Sequence, residues 1–336
     1  MIDMKQRILT GDRPTNDSFH LGNYVGTLKN RVKLQDEYDT FITIVDLHAL
    51  TTHFDRTADL EKNVRGLMLG YLSVGLDPEK VTFLLQSKIP ELTELAFILG
   101  TLTPRSLLDK QPALKEKLDQ GSQDTLGLYS YPVLMAADIL APMANLVPVG
   151  KDQKAHVELT RDLAIKFNNQ YGEVFPIPEP LIGEVPTLPG TDGQGKMGKS
   201  LNNAIFLTDT PEEVKKKVMG MYTDPNRVHG TEPGNVEGNP VFVYLDAFSQ
   251  GEKSKSKVEE LKERYKKGTV KDSEVKEFLV SVLEEFLAPI RERRKEYEVQ
   301  PELVDRILKE GTAKAREEAQ KTLEAVKVAM KMNYFE

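Results

Sequence analysis

Short apolar runs alternate with longer amphipathic stretches through the first half of the chain, and this alternation limits the possible folds more than any other feature. The runs lie at 8–10, 41–45, 81–86 and 146–149; the stretches at 22–35, 57–74, 130–140 and 153–167 read as helices. A run that is apolar at every position suits a strand buried on both faces, whereas a strand with one wet face alternates. Buried strands separated by helices form βαβ units, so the order predicts an α/β domain with a parallel sheet.

The pattern then changes. Segment 176–195 is rich in Pro, Gly and Asp and reads as loop, as does 225–240 with its three glycines. Beyond 241 the strand-like runs stop and charge density rises. Segments 258–265, 273–287 and 301–332 read there as amphipathic helices. The expected organisation is an α/β domain over 1–207 and a helical domain over 208–336, with the last helix returning to pack on the first domain. A chain of 336 residues accommodates two such domains.

Composition removes several chemistries. The absence of cysteine excludes disulfides, thiolate metal sites, iron–sulfur clusters and cysteine nucleophiles. Acidic residues outnumber basic ones 52 to 45, for a net charge of −7. That balance argues against a protein that coats nucleic acid, though not against one that holds it by a local patch. From Gly251 onward 20 basic residues face 19 acidic ones, so the acidic excess belongs to the first 250 residues. No run approaches the length of a membrane span, and the first residues form no apolar signal segment. A soluble cytoplasmic protein is expected.

Two motifs carry chemistry. The first follows the first strand: Gly11-Asp12-Arg13-Pro14-Thr15, then His20-Leu21-Gly22-Asn23. A strand that feeds a helix start presents N–H groups that favour anions. His20 can donate to phosphate oxygens, Thr15 and Asn23 add neutral donors, and Gly22 lets a flat base or ribose approach the backbone. An ordinary βα turn with a capping residue and a surface histidine has the same outline. The second motif is Gly193-Gln194-Gly195-Lys196-Met197-Gly198-Lys199-Ser200, which matches the pattern of a phosphate-binding P-loop. A P-loop NTPase would need a buried strand before it and a helix after it. Pro186 and Pro189 spoil the strand, and 204–207 reads as extended. The other use of the same residues is a mobile loop whose two lysines close over a polyphosphate.

Together the two motifs resemble the signature of class I aminoacyl-tRNA synthetases, and within them the tryptophan–tRNA ligase family of bacterial type. The carriers span the chain: GDRPT and HLGNYVG, IVDLHALT at 44–51, YPVLMAADIL at 131–140, VPVGKDQKAHVELTRDLA at 147–164, and KMGKS at 196–200. Two positions depart from the family pattern. Asn16 stands where a glycine is usual, in a loop about one residue longer, and Gly198 replaces the serine of the lysine loop.

The resemblance implies a Rossmann-like parallel sheet with a C-terminal α-helical domain that binds the tRNA anticodon. It implies catalysis by His20, Lys196 and Lys199. It implies ATP contacts from Arg13, Pro14, Thr15, Gly22, Asn23, Gly150, Lys151, Asp152, Leu188, Met197, Gly198 and Ser200. Mg²⁺ would ride on the phosphates and need few protein ligands, with no dedicated protein metal site. The implied partners are ATP, L-tryptophan, tRNA(Trp) and a second copy of the chain.

The amino-acid pocket is suggested by helical spacing. Tyr131, Met135 and Asp138 fall at i, i+4 and i+7, on one helix face. Indole has an apolar body and one N–H donor; a carboxylate accepts that proton and a thioether packs on the ring. The resemblance assigns Asp138 to the indole and Tyr131 and Gln153 to the substrate ammonium, with His48 at a strand end within reach. The competing member, tyrosine–tRNA ligase, shares the architecture and tends to carry Gln at the position of Met135. The basic cluster Arg291, Arg293, Arg294 and Lys295 reads as a solvated helix face balanced by Glu292 and Glu296.

Overall fold

A computed structural model describes residues 5–150, 154–182, 187–198, 201–224, 227, 229–230 and 232–334. Five strands, β1 (Arg7–Asp12), β2 (Asp39–Ile44), β3 (Val81–Leu85), β4 (Leu146–Val149) and β5 (Glu179–Ile182), form one parallel sheet in the order β3-β2-β1-β4-β5. The order reverses between β1 and β4, which makes the crevice at their carboxyl ends the expected place for a ligand.

Between β1 and β2 lie α1 (Leu21–Asn23), a π-turn at Tyr24–Leu28, and α2 (Lys29–Glu37). Between β2 and β3 lie α3 (Asp46–His53) and α4 (Leu60–Ser73). The β3–β4 connection holds α5 (Pro90–Thr101), α6 (Arg105–Leu108), α7 (Pro112–Asp119) and α8 (Leu126–Leu140). The helix α9 (Lys154–Tyr171) precedes β5. Then come α10 (Pro211–Met219), α11 (Pro240–Phe248), α12 (Gly251–Lys266), α13 (Asp272–Glu298) and α14 (Pro301–Ala329).

The strand β5 corrects the expectation that 176–195 is wholly loop. Pro180 pairs with Val147, and β5 sits at the sheet edge, where a residue without an N–H donor is tolerated. The opposite edge, β3, is covered by α14. Gly311 comes so near the strand that a Cβ there would collide with the Phe83 carbonyl. Thr312 accepts the Leu85 N–H at 3.0 Å, and Lys314 donates to the Thr82 hydroxyl at 3.0 Å. The bare edge of β3 is thus closed against other chains.

Alternation along the strands sends Phe41 to one face and Ile42 to the other, and each face has its own apolar cluster. One cluster holds Leu9, Phe41 and Leu84 with α5, α8, α9 and the end of α14. The other runs from Ile42 and Phe83 through Leu21, Met197 and Ile205 to Phe242 and Leu283. The helical third therefore shares a core with the sheet. Arg291 donates to the Asp209 carbonyl and pairs with Glu284, Arg293 donates to the Ser73 carbonyl, and Arg294 pairs with Glu298. Three of the four clustered cations are engaged in the protein itself.

Candidate active site

The crevice between β1 and β4 opens into a cavity of about 320 Å³. Its walls come from the end of β1 (Leu9 to Arg13), from Thr43 and Val45, from His48 on α3, from Tyr131, Met135 and Asp138 on α8, and from Val147 and His156. The helical spacing of Tyr131, Met135 and Asp138 does bring all three to one wall. Size suits a single aromatic amino acid, and the wall mixes apolar side chains (Leu9, Val45, Met135, Ile139, Val147) with polar and charged groups.

Those groups form a network around Asp138, which is only 5% exposed. Gln86 lies in a 3₁₀ turn after β3, fully buried. Its Nε2 is 2.8 Å from both carboxylate oxygens of Asp138 and 2.8 Å from Nδ1 of His48. Its Oε1 accepts the His48 backbone N–H at 3.3 Å. The turn itself is held by Asp46, which accepts the Ser87 N–H at 2.9 Å. Burial pushes the Asp138 carboxyl up to about 8; the Gln86 hydrogen bond works against that, and the Asp46 charge adds to it. Burial likewise drives His48 down to about 4, so its ring is neutral, with Nε2 donating to the Tyr131 carbonyl at 3.2 Å.

The mouth of the cavity is cationic. Lys117 of α7 sits 3.8 Å from the centre of the Tyr131 ring, and Arg13 lines the same rim. Burial, followed by the Arg13 charge, lowers the Lys117 ammonium to about 8. The Tyr131 hydroxyl lies 3.4 Å from Nε2 of His156.

The two sequence motifs meet beside this cavity. Residue Phe206 bridges His20, the Leu21 N–H donates to the Ile205 carbonyl at 2.9 Å, and the Leu207 N–H donates to Phe19. The extended reading of 204–207 is explained by this pairing. His20 caps α1: its Nδ1 accepts the Asn23 N–H at 3.2 Å, and its own N–H donates to Asn23 Oδ1 at 3.0 Å. A Cβ on Gly22 would stand 3.4 Å from the Met197 sulfur, so the lysine loop lies against the first motif. Asn203 anchors that loop, accepting the Gly198 N–H at 2.9 Å and donating to Asp192. Lys196 is exposed, Met197 and Leu188 are buried in the adjoining cluster, and Gly150 follows β4 directly.

The loop that follows Arg13 rests on α4. Asn63 donates to the Pro14 carbonyl at 2.9 Å and Lys62 pairs with Asp17. Gly66 and Gly70 let Asp17 and the Phe19 ring lie directly on the helix. Thr15 donates its N–H to the Arg13 carbonyl at 2.8 Å, which tightens the turn.

Lys151, Asp152, Gln153, Lys199 and Ser200 lie outside the described residues. The P-loop alternative is overturned. Among the described residues, 187–190 carry one isolated bridge and no strand, and the next α-helix, α10, begins at Pro211. Sequence reasoning missed Gln86, Lys117 and His156. His156 carries a helix-spacing signal, because it heads the apolar face of α9 with Val157, Leu159 and Thr160. Gln86 and Lys117 carry none, since a polar residue after a strand and a lysine on a short helix are ordinary.

A parallel sheet with this order, a deep pocket at its switch point and a histidine-glycine turn facing a lysine loop define a class I aminoacyl-tRNA synthetase centre. The model of the family described as tRNA synthetases class I (W and Y) matches residues 3–288. A tryptophan–tRNA ligase of Treponema pallidum is 51% identical over 328 residues, 96% of each chain. One of Chlamydia caviae is 47% identical over 97% of this chain and 95% of its own. A crystal structure of the Campylobacter jejuni tryptophanyl-tRNA synthetase with ADP and tryptophan is 36% identical. It superposes with a TM-score of 0.87 over 97% of this chain and all of the other. The chain belongs to the tryptophan–tRNA ligase family. A tyrosyl-tRNA synthetase of Archaeoglobus fulgidus, 22% identical at a TM-score of 0.65, shares the fold, and the tyrosine alternative is not favoured.

Proposed function

We propose that the cavity binds L-tryptophan with its indole N–H donated to Asp138, and that the chain activates it with ATP and transfers it to the terminal ribose of tRNA(Trp). The observation that carries the pocket assignment is the carboxylate of Asp138, buried at the cavity wall beside the apolar side chains of Met135, Ile139 and Val147. A buried acceptor needs a donor, and indole brings one on an apolar body. Met135 packs against the ring.

The substrate carboxylate attacks the α-phosphorus of ATP, and pyrophosphate leaves. The nucleophile is ionised at neutral pH, so the protein contributes position and charge rather than a base. Arg13 and Lys117, at the mouth, face the place where the carboxylate and α-phosphate meet. His20, neutral because burial lowers it to about 4, offers Nε2–H to phosphate oxygens. Gly22 and Asn23 lie beside it for the nucleoside, and Thr15, Pro14 and Gly150 border the same space. Lys196 and Lys199 close on the leaving pyrophosphate. Mg²⁺ would come with ATP, offset phosphate charge and need few protein ligands. By the family resemblance Tyr131 and Gln153 contact the substrate ammonium, and Lys151, Asp152, Leu188, Met197, Gly198 and Ser200 contribute to nucleotide binding. His48 supports the indole pocket.

The family resemblance gives the tRNA anticodon to the helical third, 208–336. A homodimer acting in the cytoplasm completes the proposal; no helix among the described residues is long and apolar enough to cross a membrane. Asp138→Asn tests the pocket assignment: tryptophan-dependent pyrophosphate exchange should be lost, and an unchanged KM for tryptophan would refute the assignment.

A further inference from the structure

We infer that Gln86 is the positioning residue that holds the Asp138 carboxylate as an acceptor for the substrate ring, given Asp138 as the indole partner proposed above. Gln86 touches no substrate. It acts through two neighbours that line the cavity.

The geometry fixes the orientation of its amide. If the oxygen and nitrogen were exchanged, Oε1 would face two carboxylate oxygens at 2.8 Å, and the amide nitrogen would face the His48 N–H. The contact with the His48 N–H would repel whatever the charge on Asp138, and the contact with the carboxylate would repel its ionised form. In the orientation present, one amide hydrogen points to Nδ1 of His48 and the other to the carboxylate, while Oε1 takes the His48 backbone N–H. All the polar capacity of Nε2 is used. With Nδ1 accepting, His48 carries its proton on Nε2, where the Tyr131 carbonyl receives it. A single side chain thus sets the tautomer of one pocket residue and the hydrogen bonding of the other.

The consequence is chemical. A buried carboxyl that picks up a proton becomes a donor on one oxygen and a poorer acceptor for an N–H. The groups facing this site are Asp46 and His48 on α3, Tyr131 on α8, His156 on α9, Lys117 on α7 and Arg13 after β1. Asp46 and burial favour the protonated form, and the amide hydrogen of Gln86 favours the ionised one. The mouth cations Lys117 and Arg13 are common to every variant below.

The test is the KM for tryptophan in pyrophosphate exchange from about pH 6 to about pH 9, for the parent, Gln86→Met and Gln86→Glu, each as a ratio to the parent. Gln86→Met keeps the volume and loses the donor. Its KM at neutral pH should rise roughly tenfold to hundredfold with a smaller change in kcat, and the ratio should fall as pH rises and Asp138 ionises. Gln86→Glu can share one proton with Asp138 at the acid end and stay near the parent there. Its ratio should climb with pH as two carboxylates become charged side by side. Opposite slopes are the signature of positioning. Ratios that stay flat with pH in both variants would overturn the inference and leave Gln86 a packing residue. If Gln86→Met does not fold, the slope of the glutamate variant decides alone. Asp138→Asn run in parallel separates the two levels. If it exchanges with an unchanged KM, the pocket assignment fails; if it loses exchange while the Gln86 ratios stay flat, only the inference about Gln86 fails.

Discussion

Nδ1 of His20 accepts the backbone N–H of Asn23 at 3.2 Å, so the imidazole is a helix cap, and under the proposed function it is also a donor to phosphate. Occupying Nδ1 as an acceptor leaves the proton on Nε2, the nitrogen free to meet a phosphate. The two roles can be separated by substitution. Asn is as good a cap as any residue, but with Oδ1 on the Asn23 N–H its amide nitrogen stops short of the place that Nε2 of the imidazole reaches. His20→Asn should keep stability within about 1 kcal/mol while kcat for exchange falls about 10²-fold, the cost of losing one transition-state donor. Thermal unfolding beside exchange kinetics checks both halves. Equal loss of stability and rate would mean the cap alone matters.

The pH dependence of stability has two limbs with opposite signs. His20 and His48 are lowered to about 4 in the folded state. The unfolded chain therefore takes up their protons first, and stability falls as pH drops through about 6.5 towards 4. Asp138 is raised to about 8, so the folded state holds the extra proton between the unfolded carboxyl value and 8. Stability from this group is lost as pH rises through that window. Asp138→Asn should therefore be more stable than the parent by a margin that grows from about pH 5 to about pH 8, while losing exchange activity. Chemical denaturation at several pH values measures the margin, and a margin independent of pH would show that Asp138 stays ionised throughout.

Two glycines predict opposite outcomes for the same substitution. A Cβ at Gly66 would collide with the Asp17 carbonyl, in the loop that leads from Arg13 to His20. Gly66→Ala should cost ~1–3 kcal/mol and raise the KM for ATP about tenfold by lifting that loop. Gly100, near the end of α5, has nothing within 4 Å of its would-be Cβ. Gly100→Ala should stabilise by ~0.5–1 kcal/mol, with no kinetic effect, because alanine loses less entropy on entering a helix. Melting temperatures and ATP titrations of the pair decide it.

The chain contains no tryptophan, so a bound substrate is the only indole present. Excitation at the red edge of indole absorption should report the pocket without interference from the eleven tyrosines. Titration of the parent should give a saturable, blue-shifted emission, because the ring leaves water to pack beside Met135, Ile139 and Val147. Asp138→Asn should give the emission of free tryptophan at the same concentrations.

The sheet was legible from the sequence because strands buried on both faces are apolar at every position. Segments 41–45, 81–86 and 146–149 could hardly be anything else. The strand β5 was not, because Glu179-Pro180 at an exposed edge has neither the apolar run nor the full set of donors that marks an inner strand. The face shared by Tyr131, Met135 and Asp138 followed from helical geometry alone. Gln86 was out of reach for a different reason. Its role depends on His48 and Asp138, which are 38 and 52 positions away and are brought to it only by the sheet. A polar residue that acts through tertiary contacts leaves no periodic trace. The match of Gly193 to Ser200 to a P-loop shows the converse: a local pattern means little without the strand and helix that give it geometry.

The most direct test of the central claim is amino-acid-dependent pyrophosphate exchange across the twenty standard amino acids, with the parent and Asp138→Asn side by side. A site that hydrogen-bonds a substrate N–H rejects analogues lacking it by roughly 10⁴–10⁵. Exchange by the parent should therefore be driven by tryptophan alone, and Asp138→Asn should abolish it. Exchange driven equally by tyrosine, or ATP turnover that needs no amino acid, would contradict the account.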